Sequence, residues 1–206
     1  MIENYLTKDW QMNPRSEMLY KHSMLVSGAA KIIAERCGMD GEKAKIYGEM
    51  HDIGKFNLNE HEIYKHPLIG YNIMMEHGYP DIALICLTHS FLTVDYERIL
   101  SFCKNNEEEA KKIYEILKDV KYDDYIKLIQ LCDKVSSFDR YVTITQKLQW
   151  YQEKQRISVG MLDRRFARLY TIKAKFDRMA GVDVYFLLKL SVAENAKKRK
   201  QQYQAR

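Results

Sequence analysis

Apolar residues recur at three- and four-residue spacing along most of this 206-residue chain, and no segment sustains an alternation with a period of two. From about residue 15 to residue 37, Leu25, Val26 and Ala29 mark one face of a helix. Only nine glycines and three prolines are present, too few for a fold made of many short strands and tight turns. The sequence therefore predicts an all-α fold. With no internal repeat or flexible linker, residues 1–206 are expected to form a single helical domain.

Residues typical of helix ends divide the chain further. Gly38 suits the end of the first helix, Asp40 can cap the second, and Pro67 stands where proline favours a first helical turn. The same reasoning predicts further helices at 80–89, 107–118 and 123–138, and two or three after Arg140, the clearest at 182–200. Loops are expected at 57–65 and 91–106.

The chain has no run of about 18 uncharged apolar residues and no signal-peptide pattern, so a soluble cytoplasmic protein without a membrane partner is expected. None of the four cysteines forms a Cys-x-x-Cys pair, which predicts reduced thiols that fill the core. These residues are Cys37, Cys86, Cys103 and Cys132.

The net charge of +5 is concentrated at one end of the chain. Five basic residues between Lys197 and Arg206 follow the last acidic residue, Glu194, and the remaining basic residues equal the 28 acidic ones in number. Such a tail is typical of a solvated helix end. A balanced body argues against long nucleic acid as a partner.

An adjacent His51-Asp52 pair at the end of a helical run is the strongest chemical signal in the sequence. Imidazole and carboxylate together suit divalent cations of borderline or hard character. Two residues cannot complete the coordination of a metal ion, so the hypothesis of a metal site requires further ligands elsewhere in the chain.

Three more polar residues lie on otherwise apolar helix faces. His22 shares a face with Leu25 and Val26, while His89 and Asp133 each follow apolar residues by four and seven positions. One such histidine is explained by ordinary packing, but a carboxylate on an apolar face is costly without a counter-charge. Together with the His-Asp pair, these residues predict a shared cation.

The order His22, His51-Asp52, Asp133 resembles the HD-domain superfamily of metal-dependent phosphohydrolases, and His-Asp-Ile-Gly-Lys at 51–55 is similar to its HDIG-type members. The resemblance covers about 15–140, which leaves 141–206 as a C-terminal helical extension. It implies a helical bundle in which these four residues hold one metal ion.

Members with two metals place additional histidines between the pair and the last aspartate. His66 and His89 match these by order, and residues 66–70 resemble the His-Pro-x-x-Gly element of such members. The resemblance then implies that Asp52 bridges two ions. One or two divalent ions are expected, with Fe, Mn, Mg and Zn as the candidates.

A Gly-Tyr-Pro string at 78–80 is reminiscent of the HD-GYP cyclic-dinucleotide phosphodiesterases. In those enzymes the tripeptide follows a His-His-Glu element, whereas here it precedes His89, which Ser90 follows. This difference argues against cyclic di-GMP hydrolysis. His61 and His77 have polar or glycine-rich neighbours and are expected at the surface.

The chemistry implied is hydrolysis of a phosphoester or phosphoanhydride by metal-activated water, because a bound metal lowers the pKa of water from about 15.7 toward about 7. Asp52 would hold the metal. The ammonium of Lys55 would bind substrate and stabilise charge on the phosphate oxygens, and the alternative is that Lys55 is a solvated lysine. No glycine-rich phosphate loop or nucleophilic serine or cysteine arrangement competes.

Three functional hypotheses follow. The first is a phosphohydrolase acting on a nucleotide or a similar small phosphorylated metabolite. The second is a di-iron oxygenase-type HD protein, since the predicted ligands resemble the six-ligand set of such proteins. The third is a non-catalytic HD signalling module. Loss of predicted ligands would indicate such a module, but all four ligands of the first metal are present.

Aromatic and basic residues at 147–170 could line a pocket or pack a homo-oligomer, and the sequence leaves both open.

Overall fold

Ten α-helices and no β-strand make up the part of the chain that the computed structural model describes, residues 14–55, 58–59, 61–137, 139–153 and 159–204. The prediction of an all-α fold is confirmed. The helices are α1 (Pro14–Arg36), α2 (Gly41–Met50), α3 (His66–Glu76), α4 (Pro80–Thr88), α5 (Tyr96–Phe102), α6 (Glu107–Leu117), α7 (Asp124–Val135), α8 (Ile144–Glu153), α9 (Val159–Ala180) and α10 (Val184–Gln204). Short 3-10 helices occupy Ile53–Lys55 and Ile63–Lys65.

The predicted helix ends are confirmed where the sequence carried a clear signal. Gly38 has a positive φ of 71° just after α1, the left-handed conformation that glycine adopts easily. The Asp40 side chain accepts a hydrogen bond of 2.9 Å from the amide of Lys43 and so caps α2. Pro67 lies in the first turn of α3, and Pro80 opens α4.

The loop predicted at 91–106 contains a helix, α5. Asp95 caps it by accepting a hydrogen bond of 3.1 Å from the amide of Arg98. The helix has only seven residues, too few for apolar periodicity to distinguish it from a loop.

The helix predicted at 123–138 ends earlier, at Val135. There the chain turns back on itself, because Ser136 bridges to Tyr141 and the amide of Val142 donates to the carbonyl of Val135 at 2.8 Å. The last position of the predicted helix, residue 138, lies outside the described residues.

Most of the buried apolar side chains form one large core that includes residues of α1, α2, α4 and α7 and of the three C-terminal helices. Helices α1 and α2 approach closely at Gly48, where a Cβ atom would lie 2.7 Å from the Cα atom of Ser27. Arg36 at the end of α1 donates from Nε to the carbonyl of Ala180 at 3.0 Å, which ties the end of α9 to the same core.

A second, smaller apolar cluster joins the end of α4 to α5 and α6. Its buried members are Leu87, Phe91, Ile99, Cys103, Ala110, Ile113 and Leu117. The predicted use of cysteine as core filler is confirmed for Cys86, Cys103 and Cys132, which are buried free thiols in the described structure.

No helix within the described ranges is both long and apolar enough to cross a lipid bilayer.

Some sequence predictions concern residues that the structure does not describe. They concern residues 1–13, residue 156, and the side chains of Arg164, Arg165 and the basic tail from Lys197. Among the described aromatic residues at 147–170, Trp150 and Tyr151 each lie beneath the ammonium of Lys147.

Candidate metal centre

Six polar side chains from separate helical segments meet in one buried region, and each is at most 9% exposed. They comprise His22 on α1, the His51-Asp52 pair after α2, His66 at the start of α3, His89 after α4 and Asp133 in the last turn of α7. The structure therefore brings together every residue that the sequence predicted as a metal ligand. Their role as ligands stays a prediction.

Asp52 lies at the middle of the cluster. Its Oδ2 atom is 3.4 Å from Nε2 of His51 and 3.8 Å from Nε2 of His22. Its Oδ1 atom is 3.2 Å from Nε2 of His89 and 3.6 Å from Nε2 of His66. Each carboxylate oxygen thus faces a different pair of imidazoles. The result is two buried triads that share Asp52, and each could hold a metal ion. The first triad is His22-His51-Asp52, and the second is Asp52-His66-His89.

Asp133 lies beside the first triad from the opposite side. Its Oδ1 atom is 3.2 Å from Nε2 of His22 and 4.0 Å from Nε2 of His51. Asp133 thus approaches both imidazoles of the first triad.

Backbone carbonyls fix the orientation of two imidazoles. Nδ1 of His51 lies 2.7 Å from the carbonyl of Gly48, and Nδ1 of His66 lies 2.6 Å from that of Ile63. A carbonyl only accepts, so each Nδ1 carries a proton, and Nε2 is the nitrogen of each ring that faces Asp52. Such a hydrogen bond behind the ring is typical of histidines that bind metals.

Unsatisfied polar atoms inside the cluster support the hypothesis that it binds a cation. Nε2 of His51, Oδ1 of Asp52 and Nδ1 of His89 are buried without a hydrogen-bond partner among the described residues. A buried polar atom without a partner costs free energy. Nε2 of His51 belongs to the first triad, and Oδ1 of Asp52 faces the imidazoles of the second. A divalent ion in each triad would satisfy Nε2 of His51 and Oδ1 of Asp52, so the donor set fits a metal.

Gly54, the glycine of the His-Asp-Ile-Gly-Lys string, lies where there is no space for a larger side chain. A Cβ atom on Gly54 would lie 2.0 Å from the carbonyl oxygen of His66 and 2.5 Å from the amide nitrogen of Gly70. The turn after Asp52 therefore presses directly on the first turns of α3. Nearby, the thiol of Cys86 lies 3.3 Å from the carbonyl of Met50, which joins α4 to the same corner.

Sequence reasoning missed two polar residues that hold the His89 turn. Nε2 of Gln130 donates to the carbonyls of Thr88 and Phe91, at 2.8 and 3.1 Å. The hydroxyl of Ser90 lies 3.1 Å from Nε2 of His89. A signal for Gln130 was available, because it falls one turn before Asp133 on the buried stripe of α7 and is itself fully buried.

Two lysines flank the carboxylates. The ammonium of Lys55 contacts Oδ2 of Asp52, and that of Lys134 contacts Oδ2 of Asp133. Burial acts to raise both carboxyl pKa values, but the charges of His51 and Lys55 hold the pKa of Asp52 well below its usual value. The charge of Lys134 does the same for the pKa of Asp133. Both carboxylates are thus ionised at neutral pH, as metal binding requires.

Burial has the opposite effect on most of the imidazoles. It lowers the pKa of His22 and His89, and burial together with the charge of Lys55 lowers the pKa of His66 well below its usual value. For His51, burial also acts downward, but the Asp52 carboxylate outweighs it and raises the pKa. Three of the four rings are therefore held in the neutral form that binds cations.

These pKa shifts predict that the metal-free protein loses stability as the pH falls from about 7 to about 5. A histidine in the unfolded chain has a pKa of about 6.5. In the folded protein the pKa values of His22, His66 and His89 are lower, so these rings stay neutral at a pH where the unfolded chain is protonated. The unfolded state then binds more protons, so acid favours it, and the raised pKa of His51 offsets only part of this. Urea unfolding of the metal-free protein at both pH values measures the effect. A free energy of unfolding that is equal or higher at pH 5 would contradict it.

The two triads predict separable effects of single substitutions. His66→Ala is expected to lower the metal content by one ion per chain and to spare the ion near His22, because the two triads share only Asp52. His22→Ala is expected to remove the other ion. Metal analysis after dialysis measures both, with His77→Ala as a control because His77 is exposed. Equal metal loss in the two variants would argue for a single ion.

The helical bundle gathers a histidine, an adjacent His-Asp pair and a distant aspartate in its interior, which defines the class of helical proteins with a candidate His/Asp metal site. The family model for the HD domain matches residues 19–137, more than half of the chain, and the protein belongs to the HD domain family. The resemblance expected from the sequence is confirmed. Neither a curated protein nor a solved structure gives a significant match to the chain.

Proposed function

We propose that the protein is a metal-dependent phosphohydrolase that cleaves a phosphoester or phosphoanhydride of a small phosphorylated substrate, with nucleotides as the first candidates. The observation that carries this proposal is the pair of buried triads joined at Asp52. Two adjacent cation sites that share one carboxylate are typical of centres that hold both the attacking and the leaving oxygens of a displacement at phosphorus.

The charges in the cluster favour an anionic substrate. The ammonium groups of Lys55 and Lys134 already balance the carboxylates of Asp52 and Asp133. Each divalent ion added to this balanced set leaves an excess of positive charge in a buried region, where it is poorly screened. A phosphoryl group compensates such an excess, while a neutral substrate would not.

Each residue then has a defined task. His22, His51, Asp52 and Asp133 would hold one ion, and Asp52, His66 and His89 would hold the second. When bound, such ions lower the pKa of a coordinated water and withdraw charge from phosphate oxygens. The side chain of Lys55 is about one-fifth exposed, so its ammonium can contact both Asp52 and a substrate oxygen at the mouth of the site.

The function is tested by adding Mn²⁺, Fe²⁺, Mg²⁺ or Zn²⁺ to metal-free protein and screening phosphorylated metabolites for release of phosphate or of the dephosphorylated product. We expect hydrolysis of at least one nucleotide or small phosphate ester that depends on the added metal. The His77→Ala protein should match the wild type, since this side chain is exposed.

Two results would count against the proposal. A fully loaded protein that hydrolyses no compound of the screen would favour a non-catalytic module. Oxygen uptake by the iron-loaded protein, together with a mixed-valence iron signal, would instead favour the di-iron oxygenase hypothesis.

A further inference from the structure

The hydroxyl of Ser90 lies beside the second triad. Ser90 follows His89 in the turn after α4 and is only 9% exposed. Its Oγ atom is 3.1 Å from Nε2 of His89 and 3.3 Å from Nε2 of His66. These two nitrogens are also the ring atoms that face Asp52. The hydroxyl therefore meets both imidazoles at the nitrogens that are predicted to bind the second ion.

The spacing of these atoms is that of ligands around a single ion. Nε2 of His66 and Nε2 of His89 are 3.0 Å apart, and Oδ1 of Asp52 is 3.6 and 3.2 Å from them. Ligand atoms bonded to one ion at about 2.0–2.2 Å lie about 2.8–3.6 Å apart in tetrahedral and octahedral geometry. The distances from Ser90 to the two nitrogens fall in the same range as those from Asp52. Ser90 is thus spaced as a fourth ligand would be.

The atoms around the Ser90 hydroxyl include more acceptors than it can satisfy. Oδ1 of Asp52 is buried and accepts no hydrogen bond from the described residues. Burial keeps the pKa of His66 low, and its Nδ1 donates to the carbonyl of Ile63, so its Nε2 is an acceptor as well. A hydroxyl carries one proton and can donate to only one acceptor. A cation bound among these atoms would pair with all of them at once.

The turn that carries Ser90 is held by other parts of the protein. Nε2 of Gln130 donates to the carbonyls of Thr88 and Phe91, at 2.8 and 3.1 Å. The hydroxyl of Tyr122 donates to the same carbonyl of Phe91 at 2.8 Å. The backbone before and after Ser90 is therefore fixed by contacts that involve no ion. A ligand that is positioned in advance binds more tightly, because less conformational freedom is lost on binding.

We propose that the Ser90 hydroxyl is a ligand of the second cation site, in addition to Asp52, His66 and His89. The inference rests on the proposed function, whose second ion it requires, and it defines a site of two imidazoles and two oxygens. A hydroxyl oxygen has two lone pairs, so it can bind an ion and keep its proton for a hydrogen bond. The serine or threonine hydroxyl of phosphate-binding loops binds Mg²⁺ in this way.

The first test measures binding of Mn²⁺ to the metal-free protein by titration calorimetry. Ser90→Ala is expected to weaken the affinity for one of the two ions at least about tenfold, since loss of a group that only orients a ligand already costs about 10–100-fold. The ion of the first triad should bind as in the wild type, which also shows that the variant is folded. Thr88→Ala is the matched control, because the Thr88 hydroxyl belongs to the same turn but donates to the carbonyl of Leu84 at 2.6 Å.

A second test detects the bond to the ion directly. Ser90→Cys replaces the hydroxyl by a thiol, and a thiolate bound to Co²⁺ gives an intense charge-transfer absorption in the near ultraviolet. We expect this absorption in the cobalt-loaded Ser90→Cys protein and not in the wild type, whose Cys86 thiol contacts the carbonyl of Met50. Thr88→Cys should resemble the wild type. A residue that only supported the turn would not produce the absorption.

Three results would overturn the proposal. The first is unchanged affinity for both Mn²⁺ ions in Ser90→Ala. The second is a Ser90→Cys protein that holds Co²⁺ without the charge-transfer absorption. The third is a wild-type protein that takes up only one ion per chain at saturating Mn²⁺.

These outcomes are distinct from failure of the proposed function. A cobalt-thiolate absorption in a protein that hydrolyses no phosphorylated compound would refute the hydrolase and leave Ser90 as a ligand. Metal-dependent hydrolysis with unchanged affinity for both ions in Ser90→Ala would refute the ligand alone.

Discussion

Asp52→Ala is expected to abolish retention of metal and any metal-dependent turnover while leaving the helical content largely intact. Its two carboxylate oxygens face different imidazole pairs, so one substitution removes a ligand from both triads. Helix α2 ends at Met50, before this residue, so its backbone hydrogen bonds do not depend on the Asp52 side chain. Metal analysis and far-ultraviolet circular dichroism measure the two effects on the same sample.

Two further variants separate loss of the ligand from a general loss of structure. Asp52→Asn keeps the size of the side chain and should also fail to retain metal, because the bridging charge is gone. Asp81→Ala removes an aspartate with a largely exposed side chain, which lies 3.8 Å from Lys43, and should bind metal as the wild type does. Wild-type metal content in Asp52→Ala would contradict the assignment of the centre.

Gly54→Ala is expected to destabilise the protein by about 3 kcal/mol or more and to reduce metal binding at the second triad. The added Cβ atom would lie 2.0 Å from the carbonyl oxygen of His66 and 2.5 Å from the amide of Gly70, and both are backbone atoms that a rotamer change cannot move. Relief requires the start of α3 to shift, which carries His66 away from Asp52. Urea unfolding and metal analysis check both effects.

The matched control is Gly28→Ala in α1. Its Cβ atom would meet only the hydroxyl end of Tyr141, at 3.3 Å, a contact that a small side-chain adjustment can relieve. Alanine is also favoured over glycine inside a helix by about 0.5–1 kcal/mol. We expect this variant to fold and bind metal normally. Equal free energies of unfolding for the Gly54 and Gly28 variants would contradict the prediction, because they would show that α3 can shift without destabilising the protein.

The sequence was sufficient to predict the helical fold and the family, and both are confirmed. It also named six side chains that the structure gathers in one buried cluster, although their role as ligands stays a prediction. The reason is physical, because helix periodicity shows which face a residue occupies, and His22 and Asp133 stand out on apolar faces.

What the sequence could not give depends on contacts between distant segments. Neighbouring residues in a helix do not normally face each other, so the pairing of Lys134 with Asp133 was not expected. The steric need for Gly54 arises from His66, which only the folded structure places against it. Helix α5 was missed because its seven residues are too few to display a period.

The two apolar clusters also rank the two cation sites in their resistance to heat. His22 and His51 belong to segments anchored in the large core, whereas the segments of His89 and His66 are divided between the two clusters. Cys86 and Leu92 on either side of His89 belong to the large core, but Leu87 and Phe91 belong to the smaller one, and His66 packs near Phe102 beside it. Local opening begins where fewer buried contacts must break. On warming, the second site should loosen first, so the protein would pass through a form with a single ion before it melts.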